Sequence, residues 1–397
     1  MGDALSLKLR KILNLSLELK PVWFKLLLPL FFLISFMISQ VARSRRSQAR
    51  DISLKNIEIK IICVGNILIG GTGKSPIVQK IAQEYLAQGF VVAIAARGIT
   101  NIKKPVYVHQ ACLNEINLLS DENREHYEIL KSKNLFVLQN KNRVESLLYF
   151  KSELKKINPH QKAVFILDDG LQHFSCPRDV NLCVWQPHLL LNSPHFCMPV
   201  GPYREGFGKN SFTKLLNSFH LRVWSRTSAE NVGIFTKEIE QALAKYGQTL
   251  SNEDVIAVHS LKIVKITLKN NEYSYMPVTH ADLQNISQNI SAPVGVVAGI
   301  ANPEAFMADL HTYLAPDTQF LTLFLADHAR FQNSCSRIVQ FMQGVDVCVL
   351  TLKDFFRWCD EPQFKVALEN RVILGCCVEL EFYNPITCTI VPILQYF

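Results

Sequence analysis

The sequence lacks paired cysteines. Its eleven cysteines include no C-x-x-C motif, so a structural zinc site, which needs paired ligands, is not predicted. An odd number of cysteines without the spacing of a disulfide framework also argues against a secreted, disulfide-stabilised domain. Many of them lie in apolar runs such as IICVG and DVCVL. We therefore expect them to act as small hydrophobic side chains in a reducing compartment.

The sequence also lacks a charge excess outside its N-terminus. The first 50 residues hold nine of the 42 basic residues against only Asp3 and Glu18, which leaves 33 basic and 32 acidic residues in the rest. A nearly neutral body argues against a nucleic-acid partner, whose groove would need clustered cations. With 48% hydrophobic residues, a chain of 397 residues is not disordered and is long enough for two domains.

The N-terminal segment combines an apolar run with a cluster of arginines. WFKLLLPLFFLISFMISQVA covers residues 23–42 with Lys25 as its only charge, and RSRRSQAR follows. A helix here could span a bilayer, although Pro29 interrupts a run shorter than the required length of about 20 residues, or it could lie in the interface. The segment lacks the small-residue cleavage site expected of a cleaved signal peptide. We expect this segment to contact a membrane rather than to be buried in the core of a soluble domain. The arginines after it favour a cytoplasmic location for the rest of the chain.

Strand and helix patterns alternate after residue 50, which predicts an α/β fold. Together with the glycine-rich loop described below, the expected fold is like that of the P-loop NTPases. The predicted strands are residues 57–65, 90–98, 134–139, 163–170, 180–186, 294–300, 319–328, 345–351 and 371–382, with a hairpin at 258–278. A mostly parallel sheet with helices on both faces is expected, joined by the hairpin to a second, smaller α/β unit. The expected parts are an N-terminal helix with its basic flank (1–50), a core (51–230), a linker helix and hairpin (231–290) and a second domain (291–397).

A glycine-rich loop follows the first strand. In VGNILIGGTGKSP, Leu68 stands where the usual phosphate-binding pattern has its first glycine, while Gly70, Gly71 and Gly73 lie inside the turn. Glycines let backbone N–H groups face an anion, Lys74 can reach the terminal phosphates, and a hydroxyl like that of Ser75 can bind magnesium. A strand before and a helix after the loop favour this interpretation over a glycine-rich turn with an incidental lysine.

Two adjacent acids follow a later apolar strand. Asp168 and Asp169 in FILDDGLQH lie at its C-terminal end, and in a parallel sheet such ends face the same edge as the glycine loop. Carboxylates at that edge can hold Mg²⁺. Alternatively, the two aspartates could cap a helix or form a turn. Their charges would then lie beside a buried strand without a cation or hydrogen-bond donors to offset the cost of burial.

The motifs VGNILIGGTGKSP, LDDGLQH and MPVGPYRE resemble the lipid A 4′-kinase family, the tetraacyldisaccharide 4′-kinases. VAGIANPEAF, LADHARF and TLKDFF follow in the family's order, so the resemblance spans about residues 60–355. It implies transfer of the γ-phosphoryl group of ATP, with Mg²⁺, to the 4′-hydroxyl of a tetraacyldisaccharide 1-phosphate lipid. It also implies a location at the cytoplasmic face of the bacterial inner membrane, where we expect a monomer.

The resemblance assigns roles to individual residues. Residues expected to bind ATP are Leu68, Ile69, Gly70, Gly71, Thr72, Gly73, Lys74, Ser75 and Lys353. Residues expected to hold the metal are Ser75, Glu122, Asp168 and Asp169. The expected catalytic residues are Asp121 as the base, His328 as its partner and Lys74 on the phosphates. Gln172, His173, Arg143 and Arg204 are expected near the substrate or the metal.

The sequence departs from the family pattern at three places. Ser120 replaces the glycine before the Asp-Glu pair. Because SDENRE is a good helix start, Asp121 could also be a helix N-cap. Asn142 replaces an aspartate before Arg143, and only Arg97 and Gly98 remain of a family Ser-Arg-Gly-Tyr-Gly segment. The residues after about 360 match little of the family.

Two other functions fit the same motifs. A membrane-tethered P-loop ATPase or switch could use bound nucleotide to control a protein partner, and a nucleotide-binding protein could have lost catalysis. Release of ADP that depends on the glycolipid acceptor would distinguish the kinase from both.

Overall fold

The computed structural model describes residues 12–47, 59–69, 72–98, 104–110, 112–157, 161–269, 272–288, 292–300, 303–326, 331–369 and 371–397. The chain divides into two compact units. The first unit comprises Met1–Leu119, His126–His259 and Leu380–Phe397, and the second comprises Ser120–Glu125 and Ser260–Glu379.

The first unit alternates strands and helices. Its strands are β1 (Ile59–Gly65), β2 (Val91–Ala96), β3 (Val106–Val108), β4 (Leu135–Gln139), β5 (Ala163–Asp168), β6 (Val180–Trp185), β7 (Leu221–Thr227) and the first residues of β8 (Asp254–Lys269). Its helices are α1 (Val22–Leu26), α2 (Leu28–Ser47), α3 (Lys74–Ala87), the second half of α4 (Asp121–Leu130), α5 (Arg143–Ile157), α6 (Pro187–Asn192), α7 (Lys209–Leu216) and α8 (Val232–Ala244).

The sheet of the first unit has the order β8-β7-β6-β1-β5-β2-β4-β3. Its strands are parallel except for β3, which pairs antiparallel with β4. β1 lies between β5 and β6, and the chain moves to one side of β1 before it returns to the other. Ligands of open parallel sheets bind outside the carboxyl ends of the strands at such a point. The predicted α/β class with a mostly parallel sheet is confirmed.

The core of the first unit covers both faces of the central strands. All six residues of β5 are buried. Ala163, Phe165 and Leu167 share one hydrophobic cluster with Leu147 and Phe150 of α5, while alternate residues on the other face are buried as well. Continuous burial of this kind requires packed layers on both sides of the sheet, and it fixes where the polar residues at the strand ends emerge.

Helix α2 lies against a loop of the first unit. In α2, the hydroxyl of Ser35 donates to the carbonyl oxygen of Cys197 at 2.7 Å, and the ring of Phe32 packs edge-on against Phe196 at 4.9 Å. Pro29 occupies the first turn of α2, where a missing N–H costs no helical hydrogen bond. Across the described residues, none of the helices combines the length and the apolar character needed to cross a membrane.

The second unit is a smaller α/β assembly. Its elements are the remainder of β8, β9 (Glu272–Pro277), α9 (His280–Gln288), β10 (Val294–Ala298), α10 (Pro303–His311), β11 (Phe320–Phe324), α11 (Phe331–Gln343), β12 (Val347–Thr351), α12 (Leu352–Trp358), α13 (Pro362–Leu368) and most of β13 (Val372–Tyr383). The order β11-β10-β12-β13 is parallel throughout. β8 and β9 form the antiparallel hairpin that the sequence predicts.

The two units divide the chain differently from the expected boundaries of 51–230, 231–290 and 291–397. The Ser120–Glu125 segment groups with the second unit because its charged side chains are bound there, for example Arg124 by Asp360. Leu380–Phe397 groups with the first unit, in which Ile393 is fully buried. Helix α8, expected in a linker, contributes Ile239 and Leu243 to the first core.

Strand β7 is absent from the predicted elements. Its sequence, LRVWSRT, contains Arg222, which interrupts the apolar pattern. In the structure Arg222 is buried and makes a two-pronged ion pair with Asp254 at 2.8 and 2.6 Å. A charged residue can occupy a buried strand when its partner comes from the neighbouring strand, and that pairing is invisible in a single strand's sequence.

Candidate functional site

The glycine loop connects β1 to the N-terminus of α3. Gly73 occupies the position before the first helical residue and has a φ of 80°, in the left-handed region that favours glycine. A Cβ on this residue would lie 3.2 Å from the ring carbon Cε1 of His259. The left-handed conformation therefore favours glycine here, and a side chain would also crowd the ring of His259. It delivers Lys74 and Ser75 to the first turn of α3, where helical N–H groups are available to an anion.

Thr72 is held from two sides. The side-chain amide of Asn66 donates to the hydroxyl of Thr72 at 2.8 Å, and the hydroxyl of Ser225 in β7 donates to the carbonyl oxygen of Thr72 at 2.8 Å. Asn66 and Ser225 are both fully buried. Hydrogen bonds between buried groups are costly to break without replacement, so they fix the path of the loop just before Lys74.

A second loop runs beside the glycine loop. Leu68 forms an antiparallel bridge with Tyr203. The N–H of Ile69 donates to the carbonyl oxygen of Pro202 at 2.9 Å, and the N–H of Arg204 donates to the carbonyl oxygen of Ile67 at 2.6 Å. These backbone bonds explain how the distant MPVGPYRE motif brings Arg204 to the glycine loop.

A network of charged side chains lies at the end of the loop. The ammonium group of Lys74 is 3.6 Å from Asp169 and 3.3 Å from the side-chain oxygen of Asn66. Arg204 donates to both carboxylate oxygens of Asp169, each at 3.0 Å, and to the side-chain oxygen of Gln172 at 2.9 Å. Two cations thus meet one partly exposed carboxylate, an arrangement that can also bind phosphate oxygens.

Asp168 has a more enclosed environment than Asp169. Its Oδ2 lies 3.1 Å from Nε2 of His126, a residue with a fully buried side chain. Burial alone would raise the pKa of the Asp168 carboxyl, but the hydrogen bond with His126 and the charges of Lys74 and Arg143 bring that pKa below its ordinary value. Asp168 is therefore ionised at neutral pH and available to a cation.

Arg143 and His173 lie close to these carboxylates. Arg143 is 2% exposed and donates to the carbonyl oxygen of Asn140. Burial lowers the pKa of the Arg143 guanidinium to about 10, so it keeps its charge. Burial, together with the charges of Arg143 and Arg178, lowers the pKa of His173 to about 4. His173 is thus a neutral imidazole at physiological pH.

The donor atoms at this edge suit magnesium. Asp168 is the last residue of β5, Asp169 follows it, and Ser75 lies in the first turn of α3. All three side chains carry oxygen atoms that can bind a cation. Among the described residues there is no cluster of three or more His, Cys, Asp or Glu that could hold a metal. Mg²⁺ characteristically binds to one or two carboxylates plus substrate phosphates and water, and the residues present fit that pattern.

The predicted base and its neighbour lie in the second unit. Arg357 of α12 donates to Oδ2 of Asp121 from Nε at 3.0 Å and from Nη2 at 2.5 Å. Lys353 donates to Glu122 at 2.9 Å. Ser120, whose hydroxyl accepts from the N–H of Asn123 at 3.5 Å, takes the helix-capping position. Asp121 instead begins α4, where an acid is favourable to the helix dipole.

Arg357 is itself anchored within the second unit. Its Nη1 donates to Asp354 at 2.7 Å, and the other carboxylate oxygen of Asp354 accepts from the N–H of Gly299 at 2.9 Å and the hydroxyl of Thr351 at 2.7 Å. The TLKDFF motif therefore orients the segment that carries Asp121 and Glu122. In the structure Lys353 pairs with Glu122, and its contact with the nucleotide stays a prediction.

The structure thus brings together Leu68, Ile69, Thr72, Lys74, Asp168, Asp169, Gln172 and Arg204 in the first unit. Gly70, Gly71 and His328 lie outside the described residues. Sequence reasoning missed Asn66, His126 and Arg357. A polar residue between a buried strand and a glycine loop could have indicated Asn66. The spacing of four residues from Lys353 on one helix could have indicated Arg357.

A protein-family model for tetraacyldisaccharide-1-P 4′-kinases (LpxK) matches residues 23–390. The chain belongs to this kinase family. Curated members include the tetraacyldisaccharide 4′-kinase of Francisella philomiragia, which is 25% identical over 70% of this chain and 75% of its own length. The corresponding kinase of Hydrogenovibrio crunogenus is 24% identical over 69% of this chain and 68% of its own length.

A solved structure supports the fold of this family member. The LpxK of Aquifex aeolicus, crystallised in complex with ATP, aligns with a TM-score of 0.58 and 17% sequence identity. The alignment covers 91% of this chain and 96% of the Aquifex chain. At this identity the match establishes a shared fold.

The environment of His259 predicts how stability depends on pH. Burial and the charge of Arg226 lower the pKa of His259 to about 4, while an unfolded histidine titrates near 6.5. The contribution of the neutral His259 imidazole to the free energy of unfolding is fully present above about pH 6.5 and is lost as the pH falls toward about 4. Between pH 7 and 4, we expect the unfolding free energy of wild type to fall by up to about 3 kcal/mol more than that of His259→Gln.

Urea denaturation at several pH values measures this difference. His220→Gln, at an exposed position, is the matched control and should retain the wild-type pH dependence. Equal pH dependence in wild type and His259→Gln would contradict the assignment.

Proposed function

We propose that the protein transfers the γ-phosphoryl group of ATP to the 4′-hydroxyl of a tetraacyldisaccharide 1-phosphate lipid, a step of lipid A synthesis. The observation that carries the proposal is the meeting of Lys74, Arg204 and Asp169 at a glycine loop, in a chain of this kinase family. Phosphoryl transfer depends mainly on positioning and on neutralising phosphate charge, and this site supplies both.

The residues of the first unit would bind the triphosphate. The N–H groups at the start of α3 and the ammonium group of Lys74 would bind the terminal phosphate oxygens. Lys74 and Arg204 would then exchange a carboxylate partner for phosphate partners of greater charge. Asp168, Asp169 and the hydroxyl of Ser75 would hold Mg²⁺, which neutralises phosphate charge when it is bound.

Asp121 is the proposed acceptor of the proton from the sugar hydroxyl. The guanidinium of Arg357 holds its carboxylate through Oδ2, so the side chain has a fixed orientation rather than a free rotamer. A positioned carboxylate of this kind can serve as a general base when hydroxyl deprotonation is late in the reaction. Glu122 is proposed near the metal and His328 as the partner of Asp121.

We also propose that the N-terminal helices attach the enzyme to the cytoplasmic face of the bacterial inner membrane. Leu30, Leu33, Met37 and Val41 recur at helical spacing along α2 and are between 51% and 57% exposed. Arg43 and Arg45 follow this apolar stripe within the same helix. An exposed apolar stripe followed by cations is typical of a helix that lies in the interface of an anionic membrane.

Transfer of labelled phosphate tests the proposed reaction. Purified protein with γ-labelled ATP, Mg²⁺ and tetraacyldisaccharide 1-phosphate should give a labelled lipid, and Lys74→Ala should reduce this rate by about 100-fold or more because a phosphate-binding cation is lost. Lys80→Ala, on the same helix α3 but paired with Glu84, should retain wild-type activity. Release of ADP without labelled lipid would favour the ATPase or switch instead.

Asp121→Asn tests the proposed base. The substitution removes the proton acceptor but keeps the size of the side chain, so we expect kcat to fall by about 100-fold or more with ATP affinity unchanged. Asp360→Asn is the matched control because it removes a carboxylate that also pairs with an arginine, Arg124, in the second unit. Comparable kcat values for both variants would assign Asp121 a purely structural role.

The apolar stripe predicts binding to anionic vesicles. Replacing Leu30, Leu33, Met37 and Val41 together by Ser should abolish co-flotation with vesicles containing anionic lipid, because the apolar area entering the membrane is lost. The face of α2 that carries Phe32 and Ser35 stays intact in this variant. Leu148, Ile157 and Ile234 are exposed apolar residues elsewhere in the first unit, and their joint replacement by Ser is the control. Undiminished flotation of the stripe variant would exclude this surface as the anchor.

A further inference from the structure

The two neighbouring carboxylates of the site are held in different ways. Asp169 has a side chain that is 40% exposed, and its partners are the cations Lys74 and Arg204. Asp168 is nearly buried, and its hydrogen-bonding partner is the imidazole of His126. Phosphate can compete for the cations of Asp169, whereas nothing in a nucleotide can replace a buried imidazole. Only the orientation of Asp168 is fixed by the protein interior.

His126 reaches Asp168 from a separate element. It lies on α4, while Asp168 is the last residue of β5. The side chain of His126 is fully buried, and its Nε2 is 3.1 Å from Oδ2 of Asp168. Burying an imidazole is costly unless it is hydrogen-bonded, so this contact constrains both α4 and the carboxylate. A bond to Oδ2 selects one orientation of the carboxylate plane.

We propose that His126 is a positioning residue that fixes the carboxylate of Asp168 for the divalent cation bound with the nucleotide. This inference rests on the proposed magnesium site, which the oxygen donors of Asp168, Asp169 and Ser75 fit. Carboxylates that bind metals are themselves hydrogen-bonded, and loss of such a partner typically weakens metal affinity by about 10- to 100-fold. His126 acts only through Asp168 and does not touch the reacting atoms.

A merely structural role makes a different prediction. If the pair served only to dock α4, its loss would lower the stability of the fold and leave cation affinity unchanged. The positioning role and the structural role can be distinguished by two polar substitutions that place an N–H donor at different distances from Asp168. The amide of His126→Gln places its nitrogen near the original Nε2, whereas the shorter amide of His126→Asn cannot reach Oδ2. Both variants remain polar and small enough for the site.

The experiment measures Mn²⁺ binding by electron paramagnetic resonance in the presence of a non-hydrolysable ATP analogue. We expect His126→Asn and His126→Leu to weaken Mn²⁺ affinity by about tenfold or more, and His126→Gln to restore most of it. His195→Leu is the control: it removes a different imidazole, which is only partly buried and whose Nε2 lies 3.2 Å from the carbonyl oxygen of Leu190. This variant should bind Mn²⁺ like wild type.

The outcomes separate this inference from the proposed function. Equal Mn²⁺ affinity in the Gln and Asn variants, or wild-type affinity in the Leu variant, would overturn the role of His126. A wild-type protein that binds no Mn²⁺ with the nucleotide analogue would overturn it as well. The expected ranking of affinities, found in a protein that does not phosphorylate the lipid, would support the role of His126 while refuting the lipid kinase.

Discussion

The fixed position of Thr72 supports the rest of the site. Asn66 holds its hydroxyl and Ser225 holds its carbonyl oxygen, so β1 and β7 together determine where the glycine loop ends. Because Gly73 immediately follows in a left-handed conformation, this constraint also sets the direction of α3. A phosphate site whose N–H groups are oriented before binding does not lose the free energy needed to order them, which is the basis of electrostatic preorganisation.

The charges around the loop are balanced in a way that suits an anionic ligand. Asp169 contacts both Lys74 and Arg204, and its carboxylate oxygens accept from these cations as phosphate oxygens can. Asp168 remains ionised beside them despite its burial, because His126, Lys74 and Arg143 offset the cost of desolvation. The pair therefore combines one displaceable and one fixed carboxylate, which can accept a cation together with the phosphates that accompany it.

The sequence predicts the parts of this site that follow from local pattern. Lys74, Ser75, Asp168 and Asp169 all lie at strand ends or helix starts, where apolar periodicity stops and polar residues begin. His126 could not be found in this way, because its partner is distant in sequence and its own helix α4 is mostly polar. The grouping of Asp121 and Glu122 with the second unit depends on Arg357 and Lys353, more than 200 positions along the chain.

A crystal structure with a non-hydrolysable ATP analogue and Mg²⁺ tests the central claim most directly. We expect the terminal phosphates within hydrogen-bonding distance of the Lys74 ammonium group and the first N–H groups of α3, with Mg²⁺ bound by Ser75 and by the Asp168–Asp169 pair. Phosphates bound away from Lys74, or both carboxylates turned away from the cation, would contradict it.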